Sequence, residues 1–485
     1  MSGRTARCRT RTRFRLASRR LGLTASVPLV GALCLLGSPA VPETTTARSA
    51  ETTIHDGPPN VVIVLTDDQR VRTMNRMPRL WKQVRRKGVL FTHAGAPTSL
   101  CCPARASLLT GLYAHSTRVY RNGRPYGGWR TFRARGLHRR TLATALDAVG
   151  YHTALVGKLL NGYPSAAARG YVAPGWDEQV TFTTKSGKYN YRLSDGKCYG
   201  EKPADYQTDV LRRHAVRIIR NAPADQPLFL YFAPTAPHRP YIPAPRHKGD
   251  WAGRIPSYRP AAVREDVSDK PPWVRMYPRR SQQRIDADVV GMQEMLMSVD
   301  EAVGALVRAL EDTDRMDNTL FIYTSDNGLM LGEHHLLEWK YLPYRWSTSI
   351  PLVMRWDGHI PKNRTDGRLA LNIDLATTIN RVVGGTLDTE GLDLLGRKRR
   401  SGYPLEALRA LRFDSLPLHP SYCGYRTARW LYVRYNNGFR ELYDYRRDPQ
   451  ELTNKAYAGT HRDRVRALRA KARATCRPVP PGYSW

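Results

Sequence analysis

A chain of 485 residues with 41% hydrophobic and 25% charged residues can bury a large core, which excludes a disordered or fibrous polypeptide. Its 77 Lys+Arg against 42 Asp+Glu give a net charge of +35, which points to a polyanionic partner such as nucleic acid, a membrane surface or an acidic polysaccharide. Neither Cys/His finger spacing nor a basic zipper is present, so no nucleic-acid partner is expected.

The first forty residues read as an export signal. Eight arginines and no acid occupy residues 1–20, an apolar stretch covers 21–36, and Ser38-Pro39-Ala40 supplies a small-x-small cleavage site. The apolar stretch falls short of the ~20 residues a membrane span needs, and Pro28 interrupts it, so no stable span is expected after cleavage. The pair Arg19-Arg20 hints at twin-arginine export, although Leu21 and Gly22 match that signal only loosely. Removing the eight arginines leaves +27, so the exported protein stays strongly basic. Residues 41–56 then read as a linker, 57–399 as a catalytic domain and 400–485 as a C-terminal subdomain. Cys101, Cys102, Cys198, Cys423 and Cys476 remain after cleavage, an odd number that leaves at least one unpaired. Cys423 and Cys476 could be bridged, but pairing does not follow from the sequence.

Val61-Val62-Ile63-Val64-Leu65 is a continuous apolar run, the mark of a strand buried on both faces, and similar runs recur over 228–232 and 320–323. Between them, residues 287–310 carry an apolar stripe of Val290, Met297, Val303, Leu306 and Leu310 at helical spacing. Strands alternating with helices predict an α/β domain with a mostly parallel central sheet flanked by helices. The region 163–225 has weak periodicity and receives no assignment. Towards the C-terminus, 425–435, the turn Asn436-Asn437-Gly438 and 439–443 read as one β-hairpin, followed by a helix over about 462–475. The tail is therefore expected to be a smaller α+β subdomain.

Ligands in open α/β sheets gather outside the carboxyl ends of the strands. Thr66-Asp67-Asp68-Gln69 follows the first run and Ser325-Asp326-Asn327-Gly328 the third. Adjacent carboxylates at a strand end repel unless a cation lies between them, and this oxygen set suits one hard divalent ion. In Cys101-Cys102-Pro103-Ala104-Arg105, Pro103 suits the first turn of a helix and Gly111 its end. Cys101 is thereby set at a helix N-terminus that favours anions, with Arg105 one turn on.

The string CCPARASLLTG at 101–111 resembles the sulfatase signature C-x-P-x-R-x-x-x-x-T-G, and ELYDYRRDPQELTN at 441–454 extends the resemblance towards the C-terminus. The resemblance implies that a formylglycine-generating enzyme oxidises Cys101 to formylglycine (3-oxoalanine). One oxygen of the hydrated aldehyde would attack sulfur and the other would expel sulfate. It further implies Asp67, Asp68, Asp326 and Asn327, with residue 101, as ligands of one Ca²⁺, and Arg105 as the brace of the diol. GYHTALVGK at 150–158 makes Lys158 a sulfate or nucleophile contact, and APHRP at 236–240 makes His238 the acid that protonates the leaving alcohol. Lys340, ahead of Tyr344 and Ile350-Pro351-Leu352, resembles the family's second sulfate-binding lysine.

Two departures stand out. Leu160 occupies the place where many sulfatases carry a second active-site histidine, and Tyr344-Arg345 replaces the usual Tyr-Glu. The strings GKLLNGY, PGWDE, DVSDKPPWVR and MLMSVDEAV are similar to the glucosamine-6-sulfatase and heparan 6-O-endosulfatase branch. The expected substrate is therefore a sulfated small molecule or polysaccharide bearing glucosamine 6-O-sulfate, with Trp273 in the sugar-contacting loop 266–275. An arylsulfatase or other alkyl sulfatase is the nearest alternative. A phosphate or phosphonate ester hydrolase and a non-catalytic polyanion-binding protein are more distant ones. The secretory context places the mature protein outside the cell.

Overall fold

The computed structural model describes residues 57–409 and 419–485. The expected signal (1–40) and linker (41–56) lie outside the described residues. Twelve strands and five longer helices carry the architecture. They are β1 (Asn60–Thr66), β2 (Val89–Gly95), α1 (Cys101–Thr110), β3 (His152–Gly157), β4 (Glu178–Thr181), α2 (Gln207–Asn221) and β5 (Leu228–Ala233). Then come α3 (Gln282–Glu311), β6 (Thr319–Ser325), β7 (Leu352–Arg355), β8 (Arg364–Leu371) and α4 (Asn372–Val382). The tail supplies β9 (Tyr403–Ala407), β10 (Tyr422–Arg426), β11 (Trp430–Tyr435), β12 (Arg440–Asp444) and α5 (Arg462–Thr475).

An eight-stranded sheet runs β8-β2-β7-β6-β1-β5-β3-β4, and only β7 is antiparallel to its neighbours. The three apolar runs are the three central strands, β6, β1 and β5. Val61, Ile63 and Leu65 face one core with α1 and α4, while Val62 and Val64 face the other with α2 and α3. Each of these fully buried side chains contributes roughly 1.5–3 kcal/mol of transfer free energy. Helices on both faces leave the carboxyl ends of β1, β5 and β6 side by side at one edge, which is where the polar motifs gather.

The C-terminal four-stranded antiparallel sheet runs β9-β10-β11-β12, and α5 packs on it through Val465, Leu468 and Ala472. The segment expected as one long hairpin arm breaks at Thr427–Arg429 into β10 and β11, because Thr427 turns the chain by accepting from the Trp430 backbone N–H at 2.8 Å. The Asn436-Asn437-Gly438 turn joins β11 to β12 as the sequence indicates. Cys423 and Cys476 are disulfide-bonded across 53 residues, tying β10 to the end of α5.

Trp273 does not contact the cleft. It is 5% exposed and packs on Tyr277, His419 and Tyr435, where the 266–275 segment meets the C-terminal sheet. Its flanking charges suggested a surface loop, yet Lys270 is buried beside Asp269 at 2.7 Å and donates to the Leu452 carbonyl.

Candidate active site

The site assembles from strand ends. Asp67 and Asp68 leave β1, and the Asp67 amide donates to the Ala236 carbonyl beyond β5 at 3.1 Å. Asp68 takes a left-handed φ of 69°, an uncommon conformation outside glycine, and its amide donates to Asp326 Oδ1 at 3.1 Å. Asp326 and Asn327 leave β6 directly beside it. Lys158 follows β3 through Gly157, whose φ is 111°; a Cβ there would meet the Ala233 carbonyl oxygen at 2.2 Å. Only glycine lets the chain pass β5 this closely and turn the lysine inward.

Cys101 is the first residue of α1, and Gly111 ends that helix in the left-handed conformation, as the sequence predicts. Its Sγ lies 3.4 Å from Asp67 Oδ1 and 2.8 Å from Lys340 Nζ. Lys340 also donates to Asp68 Oδ1, and the neighbouring Tyr341 amide donates to the Ser99 carbonyl at 2.7 Å, which joins the lysine loop to the start of α1. Arg105 is fully buried, donating from Nε to Asp326 Oδ2 and from Nη1 to the Lys158 carbonyl, both at 2.8 Å. Lys158 Nζ donates to Asp67 Oδ2 at 2.6 Å. His238 Nε2 stands 3.7 Å from Asp68 Oδ2, and its Nδ1 lies 2.6 Å from the Arg239 carbonyl. A proton on Nδ1 satisfies that carbonyl and leaves Nε2 directed at the cleft. All nine residues expected from the sequence therefore converge.

Electrostatics explains why the cluster tolerates burial. Burial opposes ionisation of Asp67, but Lys158, His238, Arg105 and Lys340 outweigh it and hold the carboxyl well below its ordinary range. Asp326 is pushed up to about 6 by burial and then by Asp67. Burial, with Asp67 next, pushes the Cys101 thiol up, so the unmodified side chain stays protonated and is a poor nucleophile. His238 is held below the ordinary histidine range by burial, with Asp68 acting in the opposite sense.

The donor set fits a hard divalent cation. Oxygens of Asp67, Asp68 and Asp326 and the Cys101 sulfur all lie within 4.8 Å of one another. Asn327 Oδ1 is buried with no hydrogen-bond partner, while its Nδ2 donates to Asp68 Oδ1 at 2.7 Å. An orphaned carbonyl beside three converging carboxylates could hold such an ion.

The two departures resolve differently. Leu160 is buried in the core, and next to it Asn161 lines the cleft, so no histidine stands in for the missing one there. Arg345 points away from the cleft, with Nη1 donating to the Pro449 carbonyl at 2.5 Å, and so leaves Lys340 undisturbed. One residue has no sequence signal. Buried Lys188 donates to the carbonyl and hydroxyl oxygens of Thr235 at 2.9 and 2.8 Å, and that same carbonyl accepts from the His238 amide at 2.9 Å. Gln207 accepts from the Thr235 amide at 3.1 Å, closing a brace around the His238 turn. Burial pushes the Lys188 ammonium down to about 7. The cleft opens on both sides of His238, into a cavity of about 560 Å³ beside Cys101 and one of about 860 Å³ beside Lys158 and Lys188.

Comparison with known proteins agrees with this geometry. The model of the sulfatase family matches residues 59–385, and that of the N-sulphoglucosamine sulphohydrolase C-terminal region matches 332–475. The human N-acetylglucosamine-6-sulfatase is 32% identical over 69% of this chain and 63% of its own length. A Caenorhabditis elegans extracellular sulfatase Sulf-1 homolog is 32% identical over 69% of this chain and 48% of that protein. The chain thus spans between about half and two thirds of these relatives. The solved structure of BT4656, in complex with its substrate D-glucosamine-2-N,6-O-disulfate, has a TM-score of 0.75 and 21% identity. The match covers 87% of this chain and 98% of that one, and at this identity it speaks for the fold. The family match covers more than half of the chain and contains all nine site residues: this protein belongs to the sulfatase family.

Proposed function

We propose that this chain is an exported sulfuric ester hydrolase that removes 6-O-sulfate from glucosamine-type sugars. The observation that carries the reading is the setting of Cys101: its sulfur lies at a helix N-terminus, among three carboxylates, with the Lys340 ammonium at 2.8 Å. In this reading Asp67, Asp68, Asp326 and Asn327, with residue 101, hold one Ca²⁺, which would polarise the nucleophile and the sulfate. Formylglycine at 101, made by a formylglycine-generating enzyme, would supply a diol nucleophile where the protonated thiol cannot act.

The chain's other residues have separable tasks. Arg105 is fixed by Asp326 and the Lys158 carbonyl, and its buried Nη2 has no hydrogen-bond partner, which leaves it able to brace a diol at 101. Lys158 and Lys340 are cations on either side of the nucleophile and would bind the sulfate oxygens as charge builds up in transfer. His238 has a side chain 37% exposed at the cleft; with Nδ1–H held by the Arg239 carbonyl, the doubly protonated ring would hand its Nε2 proton to the leaving sugar oxygen and revert to the neutral form. A primary sugar alkoxide is a poor leaving group and needs that proton.

Export is supported by the extracellular naming of the Sulf-1 relative and by the Cys423–Cys476 disulfide, which persists in oxidising compartments. Among the described residues, no helix is long and apolar enough to cross a membrane. The test is sulfate release by calcium-loaded protein from N-acetylglucosamine 6-sulfate, heparin oligosaccharides, an aryl sulfate, choline sulfate and a phosphonate monoester. Turnover of the 6-sulfated amino sugar is expected. Turnover of aryl or choline sulfate alone would remove the sugar reading, and turnover of the phosphonate alone would remove the sulfatase reading.

A further inference from the structure

Between Asp68 and Asp147 the sequence holds no acidic residue, yet it holds 17 Lys and Arg. Eight of the arginines fall within 118–140, on and around the short helix Gly128–Ala134. This segment adjoins the cleft directly: the Trp129 amide donates to the carbonyl of cleft-lining Asn161 at 2.7 Å. Gly162 lines both the large cleft cavity and a second one of about 820 Å³, which is walled by Arg130, Arg133, Arg139 and Arg169. Arg130 and Ala134 in turn border a third cavity of about 510 Å³, walled by Arg124, Arg135 and Tyr126.

Arg124, Arg130, Arg133, Arg135, Arg139 and Arg169 are all exposed, and none pairs with a carboxylate among the described residues. The ion pair made nearest to them, Arg140 with Asp388, spans 3.9 Å with both side chains well exposed. The arginines of the cleft itself differ, since Arg239 and Arg284 are paired with Glu338 and Asp288, which also line it. A polyanion leaving the cleft past Gly162 therefore meets guanidinium groups that are free to bind it, whereas Arg239 and Arg284 are already taken up by carboxylates. Tyr126, 42% exposed, adds an aromatic face for a sugar ring. Guanidinium groups also match sulfate oxygens in bidentate fashion.

We propose that this groove is an extended binding site for a sulfated polysaccharide, which enters the active site from the side of helix Gly128–Ala134 and is held over several sugar units. The inference rests on the sulfated-sugar reading above and adds polymer length and direction to it. A chain held this way binds through many weak charge contacts, so its affinity depends on length and falls with salt.

The test compares Arg130→Ser/Arg133→Ser/Arg139→Ser with a control of equal charge change on α5, Arg462→Ser/Arg469→Ser/Arg473→Ser. All six side chains are exposed, so both variants should fold. For a heparin dodecasaccharide, the groove variant should raise KM about tenfold or more and flatten its rise with salt, with kcat preserved. Its KM for N-acetylglucosamine 6-sulfate should stay within about twofold, and the α5 control should match wild type on both. Equal losses on both substrates, or equal losses in both variants, would overturn the groove. If wild type releases no sulfate from any sugar, the functional reading fails separately, and titration with the dodecasaccharide still decides the groove. Unaltered dodecasaccharide binding by the groove variant, or a loss seen only with anionic lipid vesicles, would overturn it there.

Discussion

A buried cluster of charge in the cleft contrasts with another at the seam with the C-terminal sheet. At the seam, charges alternate. His334 bridges Glu265 and Glu451, Lys270 pairs with Asp269 and Glu265, and Glu451 also accepts the Tyr445 hydroxyl and the Arg345 amide. Nearby, Glu441 accepts three tyrosine hydroxyls, from Tyr344, Tyr435 and Tyr443. In the cleft, by contrast, three carboxylates converge within 4.8 Å and the surrounding lysines border open cavities. Buried charge alone therefore does not mark a functional site. Convergence of like charges together with access from solvent does.

Substitutions should separate the two regions, and the largest effect belongs to the cleft. Cys101→Ala should lower turnover about 10⁴-fold or more, because it removes the proposed nucleophile. Cys102→Ala, next in sequence but facing the core, should keep much of the activity and fold normally. Asp326→Ala should cost about 100-fold or more in activity and release the metal in equilibrium dialysis, since Asp326 also fixes Arg105 and the Asp68 amide. Full activity in chelated, metal-free protein would break the cleft half of the comparison.

His238→Ala should lose about 100-fold on a sugar sulfate and only a few-fold on an aryl sulfate, whose phenolate leaves unaided. Equal losses would assign His238 to sulfate or metal positioning instead. Lys188→Met acts through the Thr235 brace, so it should show the same split in smaller measure.

The seam should behave in the opposite sense. His334→Gln leaves Glu265 and Glu451 without their cation, and about 3 kcal/mol of stability should disappear in a urea titration. Turnover per folded molecule should stay within about twofold. His334 is pushed up to about 9, because Glu265 and Glu451 outweigh the opposing burial. A raised folded-state pKa contributes stability that is full below the unfolded value of 6.5 and is lost as pH rises through about 9. Wild-type Tm should therefore fall between pH 7 and pH 9.5, and His334→Gln should flatten that fall.

The legible parts of the fold were those where one physical demand dominates a short stretch. Central strands β1, β5 and β6 are buried on both faces and so read as apolar runs. The edge strands β4 (EQVT) and β8 (RTDGRLAL) carry polar residues that hide them. The same holds in the site. Asp67-Asp68, Asp326-Asn327 and the helix start at Cys101 are local patterns, whereas Lys188 owes its role to Thr235, 47 residues away, and no spacing rule reaches that far. Trp273 misled for the converse reason: prolines and charges around it look like a surface loop until the C-terminal sheet covers them.

The central claim is that the cleft works through a modified residue 101, and the mass of the peptide spanning 101–105 in fully active, exported protein tests it most directly. The account predicts an aldehyde at 101, reactive to hydrazide, beside an unmodified thiol at 102. An intact cysteine at 101 in protein that turns over sulfate esters at full rate would contradict it.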